Sequence, residues 1–294
     1  MTYGRLLLQF VVVPIIVLAV LVLRDRRKRN GGTTPPGRLA YVMVAALIVV
    51  AVLYTTPWDN HLIATGVWWY RPELVSGITF GWIPLEELLF FPLQTLLVGL
   101  WFLWLVPRLA HPAVAGGDTN DTAYAGAGIR MRLIASVAGG CLWLVALSVL
   151  LVGWRPGTYA GWELAWALPP LILQLGLGAD ILWRYRRLVA ATLVPVILYL
   201  STVDALAIHE GIWTIDPRQS LGILLGGLLP LEELLFFSLT SALVAFGLVL
   251  GVAAESRARL RAYYAFLAYA LARRSGEREK RYRVVRARDT GLDA

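Results

Sequence analysis

A single cysteine, Cys141, rules out an internal disulfide and any thiolate metal cluster in this 294-residue chain. Histidine is almost as scarce, with three in all, and His61 and His209 occupy unrelated positions with no ligand set around them, so no metal site is expected. Charged residues make up 16%, against about 25% in an ordinary soluble domain. No strand pattern is evident, and no glycine-rich phosphate loop or dinucleotide fingerprint follows one, so no bound cofactor is expected. No cleavable leader is evident either. The first apolar run lacks a small-residue cleavage site and stops at Arg24-Asp25-Arg26-Arg27-Lys28-Arg29, as a membrane span does.

What the chain has in excess is long apolar sequence. It is 58% hydrophobic with a mean hydropathy of +0.66, and apolar windows near 4–23, 39–56, 84–106, 132–153, 162–183, 188–208 and 230–252 predict seven transmembrane helices. The fold class is therefore an all-α, polytopic membrane protein whose partner is the lipid bilayer. The net charge of +8 does not indicate nucleic acid, because 23 of the 27 basic residues fall in the connections after spans 1, 3 and 5 and in the tail. That asymmetry places the N-terminus outside and the C-terminus in the cytoplasm of a multi-pass cell-membrane protein. The segment 260–272, with Tyr263, Tyr264 and Phe266 among arginines, is too short to span and reads as an interfacial helix.

The chain also repeats itself. Pro84-Leu85-Glu86-Glu87-Leu88-Leu89-Phe90-Phe91 recurs unchanged as Pro230-Leu231-Glu232-Glu233-Leu234-Leu235-Phe236-Phe237. Asp59, Gly66, Trp68 and Pro72 match Asp204, Gly211, Trp213 and Pro217 at a constant offset of 145, which becomes 146 at the glutamates after one inserted residue. The predicted organisation is a first three-span repeat (1–110), a linker with the fourth span (111–160), a second three-span repeat (161–253) and a basic tail (254–294). The odd fourth span makes the two repeats parallel.

Paired carboxylates at the mouth of a membrane helix are costly to place, and their duplication marks the chemistry. A glutamate beside proline in a first helical turn also suits the helix dipole. That reading does not explain two adjacent glutamates kept with Phe-Phe in both halves. Gly81 and Gly226-Gly227 are expected to break the apolar stretch ahead of each motif, as interrupted helices do at sites. Adjacent glutamates point about 100° apart, so one of each pair can face the bundle. Acid beside aromatic faces suits protonation of an alkene and stabilisation of the resulting cation. Phe90, Phe91, Phe236, Phe237, Trp68 and Trp213 supply the rings, with Trp58, Trp69 and Tyr70 nearby, although an interfacial aromatic belt accounts for most of the tryptophans. Asp59 and Asp204 end their spans on the same side, where they supply a base, orient the glutamates, or are simply solvated in a loop.

The doubled Pro-x-Glu-Glu-x-x-Phe motif in a seven-span chain resembles the fused form of the two-component lycopene cyclases of bacteria, archaea and fungi. That resemblance covers 4–252. It implies an isomerase that closes the ψ-ends of lycopene to β-rings through γ-carotene, without a redox cofactor. It also implies Glu86 and Glu232 as principal acid and base, with Glu87 and Glu233 tuning them. The alternatives are a cyclase acting on C50 carotenoids and, in another class, a proton-coupled transporter. Against the transporter, the carboxylates gather toward one side, and Asp180 is at the far end of its span.

Overall fold

A computed structural model describes residues 1–28, 37–109 and 122–264. Residues 29–36, 110–121 and 265–294, with much of the expected interfacial helix, lie outside the described residues. Met1–Val252 forms one compact unit; the second unit begins at Ala253, and its residues 254–264 are helical.

Among the described residues, seven helices are long and apolar enough to cross a membrane. The first runs from α1 (Tyr3–Leu7) through a wide π turn (Leu8–Val12) into α2 (Val13–Lys28). It is followed by α3 (Arg38–Ala64), α4 (Leu85–Leu109), α5 (Thr122–Val152), α6 (Thr158–Arg184), α7 (Arg186–His209) and α8 (Leu231–Val252). The second span extends two turns beyond its expected end at 56. Pro57 lies inside α3, and the helix continues through it to carry Trp58 and Asp59. A proline leaves one carbonyl unpaired and kinks a helix without necessarily ending it. The fourth span, α5, packs along α6 and leaves nearly all of its surface free for lipid.

Among the described residues the connections contain six short strands that apolar periodicity does not predict, since segments of two or three residues carry no period. α3 and α7 both end on a glycine in the left-handed region, Gly66 (φ 71) and Gly211 (φ 68). In each case the next N–H reaches back five residues, Val67 to the Leu62 carbonyl and Ile212 to the Ala207 carbonyl, which closes the helix end and aims the chain outward. The strands that follow, β1 (Trp68–Tyr70) and β4 (Trp213–Ile215), pair antiparallel with Trp69 opposite Thr214. Those two residues differ by the repeat offset of 145, so a local two-fold axis passes between them. Arg71 N–H to the Ile212 carbonyl (3.0 Å) and Asp216 N–H to the Val67 carbonyl (2.8 Å) extend the ladder by one equivalent bond on each side. The first spans obey the same axis. Tyr54 Oη donates to the Trp166 carbonyl, and Tyr199 Oη donates to the Phe10 carbonyl.

Each glutamate motif is preceded by a hairpin, where an interrupted helix was expected. Strands β2 (Thr79–Phe80) and β3 (Ile83–Pro84) enclose Gly81-Trp82, while β5 (Leu224–Leu225) and β6 (Leu229–Pro230) enclose Gly226-Gly227-Leu228. The third residue of the second turn is the insertion that shifts the offset to 146. The glycines do interrupt the apolar stretch, but at left-handed turn positions (φ 66, 59 and 73) that favour a hairpin over a helix break.

Candidate active site

The octapeptides form the first turns of α4 and α8, and adjacent positions on those turns separate the two glutamates of each pair. Glu86 turns back onto its own loop, accepting bonds from the Ser76 N–H (2.6 Å) and Ser76 Oγ (3.1 Å). Glu232 accepts from the Leu221 N–H (2.6 Å) and is fully buried. Neither lines the central cavity. These two side chains anchor the loops that carry the hairpins, which differs from the principal role expected for them.

Glu87 and Glu233 point the other way, into a cavity of about 50 Å³ on the two-fold axis. Glu87 accepts hydrogen bonds from Tyr3 Oη (2.5 Å) and Tyr70 Oη (3.0 Å), and Tyr70 Oη in turn accepts from Trp68 Nε1 (3.2 Å). Burial pushes the Tyr70 phenol well above its ordinary pKa, and the negative charge of Glu87 pushes it further, so Tyr70 remains a donor. Across the axis, Glu233 accepts from Tyr159 Oη (2.8 Å) and shares the cavity wall with Asp204. Both aspartates line the cavity and are at most 4% exposed, which excludes the solvated-loop reading.

The rest of the wall is aromatic. Trp68, Trp213, Phe90, Phe236 and Phe237 line this cavity, whereas Phe91 faces a neighbouring one. Trp58, which periodicity leaves in the interfacial belt, lies parallel to Phe236 at 5.9 Å. Tyr3 meets Trp213 edge-on at 5.1 Å, and Phe90 meets Phe237 edge-on at 6.2 Å. Trp69 and Trp82 are exposed and keep the belt position.

Three polar groups of the site were missed in the sequence. Tyr3 and Tyr159 each open an apolar run at an offset of 156, which also relates Pro14 to Pro170 and Phe10 to Trp166. Those matches were the available signal, but they fall before the landmarks at which the duplication is first visible. Glu163 is fully buried on α6, with neither carboxylate oxygen bonded. An ionisable residue inside a span was signal enough. Its counterpart in the first repeat is Leu7, so the two half-sites are unequal.

Chemically, the arrangement offers two carboxyl groups held by phenols on opposite walls of an aromatic chamber. One can give a proton while the other takes one, and the ring faces can stabilise positive charge between them.

A profile of the lycopene cyclase family matches residues 5–105 and 156–251. A lycopene beta-cyclase of Halobacterium salinarum is 42% identical over 207 residues, covering 70% of this chain and 81% of that protein. A bifunctional lycopene cyclase/phytoene synthase of Podospora anserina is 34% identical over 214 residues, or 72% of this chain and 35% of that protein. One from Arthroderma gypseum is 33% identical over 241 residues, 78% of this chain and 39% of that protein. No solved structure matches.

Proposed function

The chain belongs to the lycopene cyclase family, and from that premise we propose that it is an isomerase closing the ψ-ends of lycopene to β-rings by carboxyl acid–base catalysis. Glu87 and Glu233 are the acid and the base. The protonated member transfers its proton to the terminal trisubstituted alkene, leaving a tertiary cation. A neighbouring double bond of the same end attacks that cation, forming the ring carbon–carbon bond and moving the charge to a ring carbon. The ionised carboxylate removes the adjacent ring proton, and the C–H electrons become the ring double bond. One proton enters and one leaves, so no oxidant or reductant is consumed. γ-Carotene is the product after one end and β-carotene after both.

Supporting this reading is the placement of the second glutamate of each repeated motif on opposite sides of one aromatic chamber, each held by a tyrosine from the first span of its own repeat. The phenols fix the carboxyl groups, and the rings of Trp58, Phe236 and Phe90 offer π-faces to a cation without offering a nucleophile. The basic residues orient the chain with the chamber toward the outer side of the membrane.

Expression in a lycopene-accumulating host followed by pigment extraction tests the assignment. Conversion of the acyclic pigment to γ- and β-carotene is expected. Unchanged lycopene, with the protein present in the membrane, would overturn it.

A further inference from the structure

The central chamber is closed on one side by Phe236, and the same ring walls a second cavity of about 110 Å³ between α3 and α6. Above this second space the two helices are joined by an aromatic bridge. Tyr54 Oη donates to the Trp166 carbonyl (2.8 Å), and Trp166 Nε1 donates to the Tyr54 carbonyl (3.3 Å). The rings form one stack: Tyr54 lies 5.6 Å from Trp166, Trp166 4.5 Å from Trp58, and Trp58 5.9 Å from Phe236, with interplanar angles of 21°, 20° and 4°. Below the bridge the cavity is lined by Val50 and Ala51 of α3, and Val50 is 55% exposed on the surface that faces lipid.

We propose that the cleft between α3 and α6 is the berth of the substrate's conjugated chain, which enters sideways from the bilayer while its reacting end passes Phe236 into the carboxylate chamber. This rests on the cyclase reading and extends it to how the long substrate is held. An all-carbon polyene is dissolved in the lipid, so its shortest path to the chamber runs through a lipid-facing wall. The cavity is mostly apolar, borders that wall and shares a ring with the chamber. The near-parallel rings present flat π-faces to a flat conjugated chain, a geometry that favours offset stacking.

The two-fold axis gives the chamber a second flank, between α7 and the π turn of the first span, where Tyr199 Oη bonds the Phe10 carbonyl (2.7 Å). There Phe10 stands in place of Trp166 and Val203 in place of Trp58, so the tryptophan pair of the stack is confined to the α3–α6 flank. The berth is assigned to that flank alone.

The test narrows the cleft from its mouth and from its wall. Val50→Trp changes a lipid-exposed position, and Ala51→Trp fills the cavity itself. The lipid-exposed Val194 on α7 provides the control, Val194→Trp. Each protein is assayed with lycopene in lipid nanodiscs, and melting temperature is measured in parallel. Expected are a KM for lycopene at least tenfold higher in the two α3 variants, melting within a few degrees of the unmodified protein, and an unchanged KM in the control. Unchanged KM in both α3 variants overturns the proposal, as does an equal rise for Val194→Trp, which would place the chain on the other flank. Should the unmodified protein not cyclise lycopene at all, the functional reading fails instead. Saturable binding of lycopene, followed by its absorbance shift and lost in Ala51→Trp, would still report the berth.

Discussion

Two glutamates that are neighbours in sequence meet different surroundings because one residue of helix rotates them by about 100°. The first of each pair holds a loop and the second faces the chamber. Replacing Glu87 or Glu233 with Gln keeps the shape and the acceptor oxygen but removes the transferable proton. Loss of proton transfer is expected to lower the cyclisation rate by about 10²–10⁴-fold, measured as ring formation per mole of inserted protein. Glu86→Gln and Glu232→Gln retain an oxygen for the Ser76 and Leu221 N–H groups and are expected to stay within about tenfold of the unmodified rate. If the two pairs respond in reverse, the acid and base have been assigned to the wrong positions. The repeated octapeptide stood out in the sequence as the candidate site, while Asp59 and Asp204 stood beside it with a solvated-loop role still open. The division within each glutamate pair was not legible, since it depends on which way the first turn of α4 faces. That orientation is fixed by hydrogen bonds to Tyr3, 84 residues away, and to Ser76 in the preceding loop.

The helices were legible to within a few residues at most ends because a membrane span needs about 20 apolar residues in a row. The hairpins and the β1–β4 ladder were not, since their strands are too short to alternate and their pairing joins residues 145 apart in sequence. Element-scale consequences follow from their turns. Gly81 combines a left-handed φ of 66° with a site where an added Cβ would clash with Asn60 Oδ1. Asn60 itself accepts from the Trp82 N–H and donates to the Phe80 carbonyl. Gly81→Ala is therefore expected to cost about 1–3 kcal/mol from the backbone alone and to disrupt the Asn60 clamp as well. At Gly226 an added Cβ meets nothing within 4 Å, so Gly226→Ala should cost only the backbone share. Thermal unfolding of the two variants in nanodiscs checks the order.

The ladder also has an acid-sensitive end. Hydrogen bonds from the Arg218 side chain, and then from its backbone N–H, hold the Asp216 carboxyl at a pKa of about 2. A carboxyl lowered in the folded state contributes stability above its unfolded pKa of about 3.9 and loses it as pH falls toward 2. Protease sensitivity of the 213–219 loop is expected to rise between about pH 4 and 2. Asp216→Asn should abolish that transition.

At the scale of the whole molecule, both halves contribute to one chamber, so the two ends of lycopene cannot be processed together. The axis between Trp69 and Thr214 relates the two halves around that single chamber. A substrate closed at one end must withdraw and turn around before the other end can enter. γ-Carotene is therefore expected to accumulate transiently, and excess unlabelled γ-carotene should dilute the label passing from lycopene to β-carotene. Label transfer that ignores the added pool would require a second working chamber.

The ladder of β1 and β4 has one further consequence. Because its centre pairs equivalent positions of two related strands, the contact is isologous, of the kind that joins identical subunits. Gln94 and Thr240, equivalent at the other offset of 146, are hydrogen-bonded across the same axis at 2.8 Å. A single three-helix ancestor would thus have had a surface that recognises its own copy. Joining the copies in tandem requires the second to start on the side of the bilayer where the first began, and α5 supplies that return passage. Once the copies shared a chain, they were free to diverge, and Glu163 opposite Leu7 and Trp58 opposite Val203 record a twin becoming a pair of specialists.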